Sequence, residues 1–157
     1  GQRSGLYFVH HDDQGHHFSY ARAGSAASLM APSDLKGNWL NLIAQSHWFH
    51  VSGISMAISE TARATVFEAM RQARIAGTQV AFDTNLRLNL WPLDQARASI
   101  QQALPCCDLL LPSLEDMVLL TGLEDPEAID TITWASRDTE GAPTRRQAQI
   151  PRVIFIA

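Results

Sequence analysis

The sequence predicts an α/β fold in which helices cover a parallel sheet. Three short runs, residues 48–51, 80–82 and 108–111, are mostly hydrophobic, as in strands that are buried on both faces. Amphipathic helical patterns separate these runs, and such alternation is typical of parallel strands joined by right-handed crossovers. The predicted class is a doubly wound α/β core.

A β-hairpin is predicted before this core. Residues 6–9 and 17–20 favour strands, and the polar cluster 12–15 between them has the chemistry of a hairpin turn. Small residues follow at 23–28, and a turn at 32–34 precedes the next element. That element is a short helix carrying Trp39, Leu42 and Ile43.

Capping residues predict the limits of the core helices. Ser59 can cap the first helix and Gly77 can end it. Pro92 opens the second helix, and the third covers residues 113–121.

The C-terminal part has a different pattern. A weak helical spacing of Ile129, Ile132 and Trp134 gives way to a polar run at 137–149. An apolar run at 153–156 predicts a strand where the sequence stops. We therefore expect that an element which should follow this strand is missing.

Composition excludes several classes of protein. The 157 residues, 46% of them hydrophobic and 18% charged, fit one globular domain. With 12 basic and 16 acidic residues the net charge is −4, which gives no positive field for nucleic acid. No apolar stretch approaches the roughly 20 residues of a membrane span. Because the adjacent Cys106 and Cys107 rarely reach disulfide geometry, we expect a cytoplasmic protein.

Polar segments follow the apolar runs, at the strand ends where such sheets bind ligands. These segments are 52–55, 83–92 and 112–116. We expect them to form one rim along the carboxyl ends of the parallel strands. In an extended chain Asp83 and Asn85 would point to the same side, together with Arg87.

Arg87 lies between two leucines in a segment that ends in Leu90 and Trp91. We therefore expect its side chain to be partly enclosed and to need an anionic partner.

Structural interpretations compete with these functional ones. Asp83 and Asn85 could simply build a turn. Ser113 and Asp116 match the S-x-x-[DE] pattern of a helix N-terminus, so capping alone could explain both.

Two further chemistries find little support in the sequence. Residues 53–57 approximate the nucleophile elbow of a hydrolase around Ser55, but Ala57 stands where the motif needs Gly. Histidines at 10–11 and 16–17 bracket the hairpin turn, yet no cysteine or helical His pair supports a metal site.

Four segments together carry a family resemblance. They are GLYF at 5–8, YARAGSAAS at 20–28, HVSGI at 50–54 and FDTNLRLNLW at 82–91. In this order and spacing the sequence resembles the ribokinase-like (PfkB) carbohydrate kinases, and among them the 2-keto-3-deoxygluconate kinases.

The resemblance covers about residues 4–126 and implies a fold. That fold is a ribokinase-like three-layer α/β/α core with a small β lid, incomplete at both ends. Residues 1–28 would form part of the lid hairpin and its return to the core, and 29–157 a partial core domain.

Four residues match family positions that hold the keto-acid sugar: Tyr7, Tyr20, Arg22 and Arg87. Tyr20 and Arg22 are two apart in an extended chain and so face one way. The guanidinium groups of Arg22 and Arg87 could then both bind the substrate carboxylate. Asp83 and Asn85 are implied as supporting residues.

The N-x-x-E motif of the family falls on Ser113 to Asp116, with Ser for Asn and Asp for Glu. The resemblance therefore implies that Ser113 and Asp116 lie on the nucleotide side, with ATP and Mg²⁺ as cofactors. The glycine-rich N-terminal half-domain of the family and its D-T-x-G-A-G-D segment, which carries the catalytic base, do not occur in this sequence.

The implied function is transfer of the ATP γ-phosphoryl group to a primary hydroxyl of 2-keto-3-deoxygluconate or a related sugar acid. A non-catalytic sugar-acid-binding protein or degenerate kinase is the alternative, and a hydrolase using Ser55 is a third. The implied partners are a sugar acid, a nucleotide and a second copy that pairs through the exposed edge of the lid.

Overall fold

The computed structural model describes residues 1–129 and contains two sheets. The elements are β1 (Leu6–Asp12), β2 (Gly15–Ala21), α1 (Asn38–Gln45), β3 (Trp48–Ser52), α2 (Gly53–Ala57), α3 (Glu60–Ala76), β4 (Gln79–Asp83), α4 (Leu93–Ala103), β5 (Leu109–Leu111) and α5 (Leu114–Thr121). The predicted helix of Ile129, Ile132 and Trp134 begins within the described residues, which are helical at 126–129 and bury Ile129. Its continuation and the predicted strand at 153–156 lie outside them.

The predicted hairpin is confirmed. β1 and β2 pair antiparallel, from Leu6 opposite Ala21 to Asp12 opposite Gly15. Asp12 Oδ1 accepts the N–H of Gln14 at 2.8 Å, and Gly15 has a φ of 114° that favours glycine. Since side chains alternate along a strand, one face carries Tyr7, Val9, Phe18 and Tyr20, and the other carries Leu6 and Phe8.

The second sheet is parallel and has the order β3-β4-β5. Val80 and Phe82 of the central strand are fully buried, as the apolar run predicts. Ser52 pairs with Asp83, and Asp83 with Leu111, so the carboxyl ends of the three strands lie along one edge. The α/β prediction is confirmed, although these three strands follow each other in chain order and show no reversal of winding.

The predicted caps set the helix limits. Ser59 Oγ accepts the N–H of Ala62 at 3.0 Å, and Gly77, with a φ of 88°, ends α3. Pro92 directly precedes α4. The core packed between helices and sheet includes Val51, Met56, Val66, Met70, Val80, Phe82, Ile100 and Leu110. Within residues 1–129, no helix has both the length and the apolarity needed to cross a membrane.

Candidate functional site

The three polar segments after β3, β4 and β5 come together at one edge of the sheet. α2 begins at Gly53, immediately after β3, and lies so close to the next segment that a Cβ on Gly53 would overlap the carbonyl oxygen of Thr84. Asp116, in the first turn of α5, is hydrogen-bonded to that same segment. The prediction of a shared rim is confirmed.

The extended chain on which the predicted alternation of Asp83, Asn85 and Arg87 depends is interrupted at Asn85. β4 ends at Asp83, and Asn85 has a φ of 36°, in the left-handed region that few non-glycine residues adopt. Thr84 and Leu86 are buried on either side of Asn85, whereas Asp83 and Asn85 are half-buried and Arg87 is exposed. The predicted difference in burial between the two sets is therefore present, although the backbone that carries it is not fully extended.

The enclosure predicted for Arg87 is wrong. Its side chain is exposed, and its Nη1 donates to the carbonyl oxygen of Leu86 at 2.8 Å. No carboxylate forms an ion pair with it in the described part of the chain. Leu86 is buried, whereas the guanidinium of Arg87 beside it is exposed and accessible to an anionic ligand.

Three of the four predicted sugar-binding residues form one cluster on the hairpin. The rings of Tyr7 and Tyr20 lie 6.4 Å apart, centroid to centroid. The Cζ atom of Arg22 lies 4.3 Å from the centroid of the Tyr20 ring, which is a cation–π contact. Within residues 1–129, no hydrogen bond or ring contact joins Arg87 to this cluster.

Arg22 is held in place by the segment that returns from the hairpin to the core. Its carbonyl oxygen accepts the N–H of Ser25 at 3.0 Å. Further along, the carbonyl oxygen of Ser28 accepts the Oγ–H of Ser59 at 2.7 Å, at the cap of α3. The sequence indicated the small residues of this return but not their contact with α3, which depends on residues about thirty positions apart.

Ser113 is the N-cap of α5, as its capping pattern predicts. Its Oγ accepts the N–H of Asp116 at 3.1 Å. Only this half of the capping box forms, because Asp116 Oδ2 accepts instead from Thr84 Oγ1 at 2.8 Å and from the N–H of Leu86 at 2.9 Å. Thr84 carries no motif that would have marked it as this partner. The nucleotide-side role of Ser113 and Asp116 stays a prediction.

Within residues 1–129, we find no arrangement of side chains that fits either the metal site or the hydrolase site considered above. His17 Nε2 lies 3.0 Å from Asp12 Oδ1, and the rings of His11 and His16 are hydrogen-bonded across the hairpin. Among residues 1–129, no group of three His, Cys, Asp or Glu side chains is arranged to hold a metal ion. Ser55 lies within α2, and no general base is hydrogen-bonded to it in this part of the chain.

A comparison with protein families identifies the family. The sequence model for the “pfkB family carbohydrate kinase” matches residues 1–142 of the 157. The chain belongs to this family. Its hairpin and parallel α/β sheet are therefore parts of a PfkB carbohydrate-kinase fold, as the sequence motifs imply.

Individual PfkB relatives do not single out one sugar. A probable fructokinase-7 from Arabidopsis thaliana is 36% identical over 132 residues, covering 83% of this chain and 37% of that protein. A 2-dehydro-3-deoxygluconokinase from Thermoproteus tenax is also 36% identical over 132 residues, covering 81% and 38%. The PfkB chain thus spans less than two fifths of the length of either relative.

A solved structure supports the same fold. The crystal structure of a fructokinase with bound ATP from Xylella fastidiosa superimposes with a TM-score of 0.73 at 27% identity. The match covers 87% of this chain and 42% of the fructokinase.

Proposed function

We propose that this chain is the sugar-holding part of an ATP-dependent kinase for 2-keto-3-deoxygluconate, also named 2-dehydro-3-deoxygluconate, or for a related sugar acid. The observation that carries the proposal is the contact of Arg22 with the Tyr20 ring on the hairpin, beside Tyr7. A guanidinium binds a carboxylate through two parallel hydrogen bonds, and an aromatic face beneath it limits its rotation. A neutral ketose has no carboxylate to offer, so this arrangement favours a sugar acid.

Arg87 supplies a second cation in the proposal. It is exposed at the carboxyl edge of the parallel sheet, where ligands of such sheets bind. The only hydrogen bond of its guanidinium in the described residues, to the Leu86 carbonyl, leaves most of its five N–H donors for an anion. Asp83 and Asn85 shape the segment that presents it.

The phosphoryl donor in the proposal is ATP, because a fructokinase of the same fold is described with ATP bound. In-line transfer to a primary hydroxyl needs a general base for the hydroxyl proton, and we assign none of these residues to that role. Mg²⁺ is part of the proposal for the whole protein, but the residues described here do not fit a Mg²⁺ site. They contain no cluster of ligands, and Oδ2 of Asp116 is already engaged.

The chain would contain parts of two structural units. Residues 1–28 would form the lid hairpin and its return, and 29–157 part of the core domain. A second copy would pair through the exposed edge of the hairpin, because a two-stranded sheet is marginal alone and leaves unpaired backbone groups along its edges. Cys106 and Cys107 are adjacent in the sequence, where disulfide geometry is rarely reached, and this supports a cytoplasmic location.

Calorimetric titration of the 157-residue chain with 2-keto-3-deoxygluconate and with fructose tests the proposal. We expect saturable binding of the sugar acid, and binding at least tenfold weaker for fructose. Arg22→Ala and Arg87→Ala should each weaken sugar-acid binding, whereas Arg71→Ala, which removes the same charge from the surface of α3, should not. Equal affinity for fructose, or no binding of the sugar acid, would contradict the proposal.

An ATP-coupled assay separates the kinase from the non-catalytic alternative. Because no residue of this chain is assigned as the base, we expect the chain alone to bind the sugar acid without turning it over. Robust phosphorylation by the 157-residue chain would show that a base lies within it.

A further inference from the structure

We infer that Asp116 is a positioning residue that sets the sugar-acid preference of the site, by holding the segment that carries Arg87. This inference rests on the proposed function and deepens it. It assigns to the side chain of Asp116 a task on the sugar side of the rim.

Asp116 bridges the two sides of the backbone turn at Asn85. We call this turn the kink and the two hydrogen bonds across it the clamp. Its Oδ2 accepts from Thr84 Oγ1 at 2.8 Å and from the N–H of Leu86 at 2.9 Å, and these two donors flank Asn85. A carboxylate that accepts a backbone N–H makes a charge-assisted bond, about twice as strong as a neutral one. Both partners are buried, with Thr84 fully shielded and Leu86 at 6% exposure, so water competes little for these bonds.

The clamp satisfies two buried donors beside the kink. Asn85 has a φ of 36°, in the left-handed region that asparagine adopts more readily than other residues with a Cβ. The N–H and hydroxyl on its two sides would otherwise be unsatisfied inside the protein, a situation that the surrounding fold avoids. Without the carboxylate, the segment gains other conformations.

Arg87 follows the clamped residues directly. The Leu86 amide is bound by Asp116, and the Leu86 carbonyl accepts from Arg87 Nη1 at 2.8 Å. The buried Leu86 thus links the Asp116 carboxylate, through its amide, to the Arg87 guanidinium, through its carbonyl. Because Gly53 closes the other side of Thr84, the segment has little room to move while the clamp is intact. A fixed guanidinium loses less entropy when it binds a carboxylate.

The test uses Asp116→Asn, which keeps the size and removes the charge. Glu115→Gln is the matched control, since it removes an equal charge from the exposed neighbouring position of α5. Thr84→Val removes one of the two donors at constant shape and serves as the second variant if Asp116→Asn does not fold. Amide hydrogen exchange at Leu86 is measured without ligand, and affinities for 2-keto-3-deoxygluconate and fructose are measured by calorimetry.

We expect Asp116→Asn to increase exchange at Leu86 at least tenfold. It should lower sugar-acid affinity, by less than Arg87→Ala does because the amide oxygen of Asn still accepts hydrogen bonds, and leave fructose affinity unchanged. The double variant Asp116→Asn/Arg87→Ala should bind the sugar acid little more weakly than Arg87→Ala alone, because both changes act on the same interaction between Arg87 and the sugar acid. Thr84→Val should give a smaller loss, and Glu115→Gln none.

Four results would overturn the inference. Three of them are unchanged exchange at Leu86, unchanged sugar-acid affinity despite faster exchange, and a loss that adds fully to that of Arg87→Ala. A parallel loss of fructose affinity would show a general structural defect and would also overturn it. If the unmodified chain binds no sugar acid, the proposed function fails and the sugar preference falls with it, while exchange at Leu86 still decides whether the clamp exists.

Discussion

Gly53, the first residue of α2, lies against the backbone carbonyl of Thr84, and the space between them admits no side chain. This close approach joins the segment that follows β3 to the segment that follows β4. It explains why a glycine stands directly after a buried strand, at a place where its φ is not in the left-handed region. The requirement is one of space rather than of backbone freedom.

Gly53→Ala should lower the free energy of unfolding by about 1–3 kcal/mol, because a backbone carbonyl must move to admit the methyl group. Urea unfolding followed by circular dichroism measures the change. Gly5→Ala is the matched control, since its Cβ would meet Arg22 Cγ at an ordinary 3.5 Å, and we expect a change within about 0.5 kcal/mol. Equal stability of Gly53→Ala and the parent chain would show that the two segments are not in contact.

Ser113→Ala should destabilise the protein by about 0.5–2 kcal/mol through loss of the α5 cap. Ser113→Asp should retain most of the stability, because aspartate caps helices as well as serine does. Thermal unfolding compares the two variants, with Ser33→Ala at an exposed turn position as a control near zero. If Ser113→Asp is as unstable as Ser113→Ala, the hydroxyl has a role other than capping.

Local signals account for the elements that the sequence predicted. Ser59 caps α3 through a residue three positions away, and Gly77 ends the same helix within one turn. The hairpin likewise follows from the polar turn between its strands. Patterns of this range are visible in the sequence because the interacting groups are neighbours along the chain.

The β4–α4 segment could not be predicted in the same way. Its conformation depends on Asp116, which lies 30 residues beyond Leu86 and reaches it only once β4 and β5 are paired. Periodicity treats Asn85 and Arg87 as positions of an extended chain and contains no information on that distant carboxylate. The tyrosine–arginine cluster was predictable because the pairing of Tyr7 with Tyr20 follows from the hairpin register itself.

The pair formed by Glu68 and Arg71 on α3 predicts a pH dependence of stability. Hydrogen bonding from Arg71, followed by that from Gln72, lowers the pKa of Glu68 from 4.5 to about 2. Since the pKa is lower in the folded protein, the stabilising contribution is complete above pH 4.5 and is lost as the pH falls toward 2. It is small, because the side chains are 30% and 57% exposed and solvent screens them.

NMR titration of the Glu68 carboxyl measures this pKa directly. Arg71→Ala should raise it toward 4.5, and Gln72→Ala should raise it less, in the order of the two hydrogen bonds. Glu68→Gln should reduce the loss of stability below pH 4.5 without changing stability near neutrality by much. A Glu68 pKa that is unchanged in Arg71→Ala would show that the pair does not persist in solution.

The contact between Arg22 and Tyr20 predicts different effects on sugar-acid binding for loss of the Tyr20 ring and for loss of its hydroxyl. Tyr20→Phe keeps the aromatic face beneath the guanidinium, whereas Tyr20→Leu keeps only apolar bulk. An exposed cation–π contact is worth about 0.5–1 kcal/mol, so sugar-acid affinity should be about two- to fivefold lower in Tyr20→Leu than in Tyr20→Phe. In an Arg22→Ala background the two variants should bind equally, because no guanidinium remains to be oriented. A Phe-to-Leu difference that persists without Arg22 would mean that the ring contacts the sugar itself.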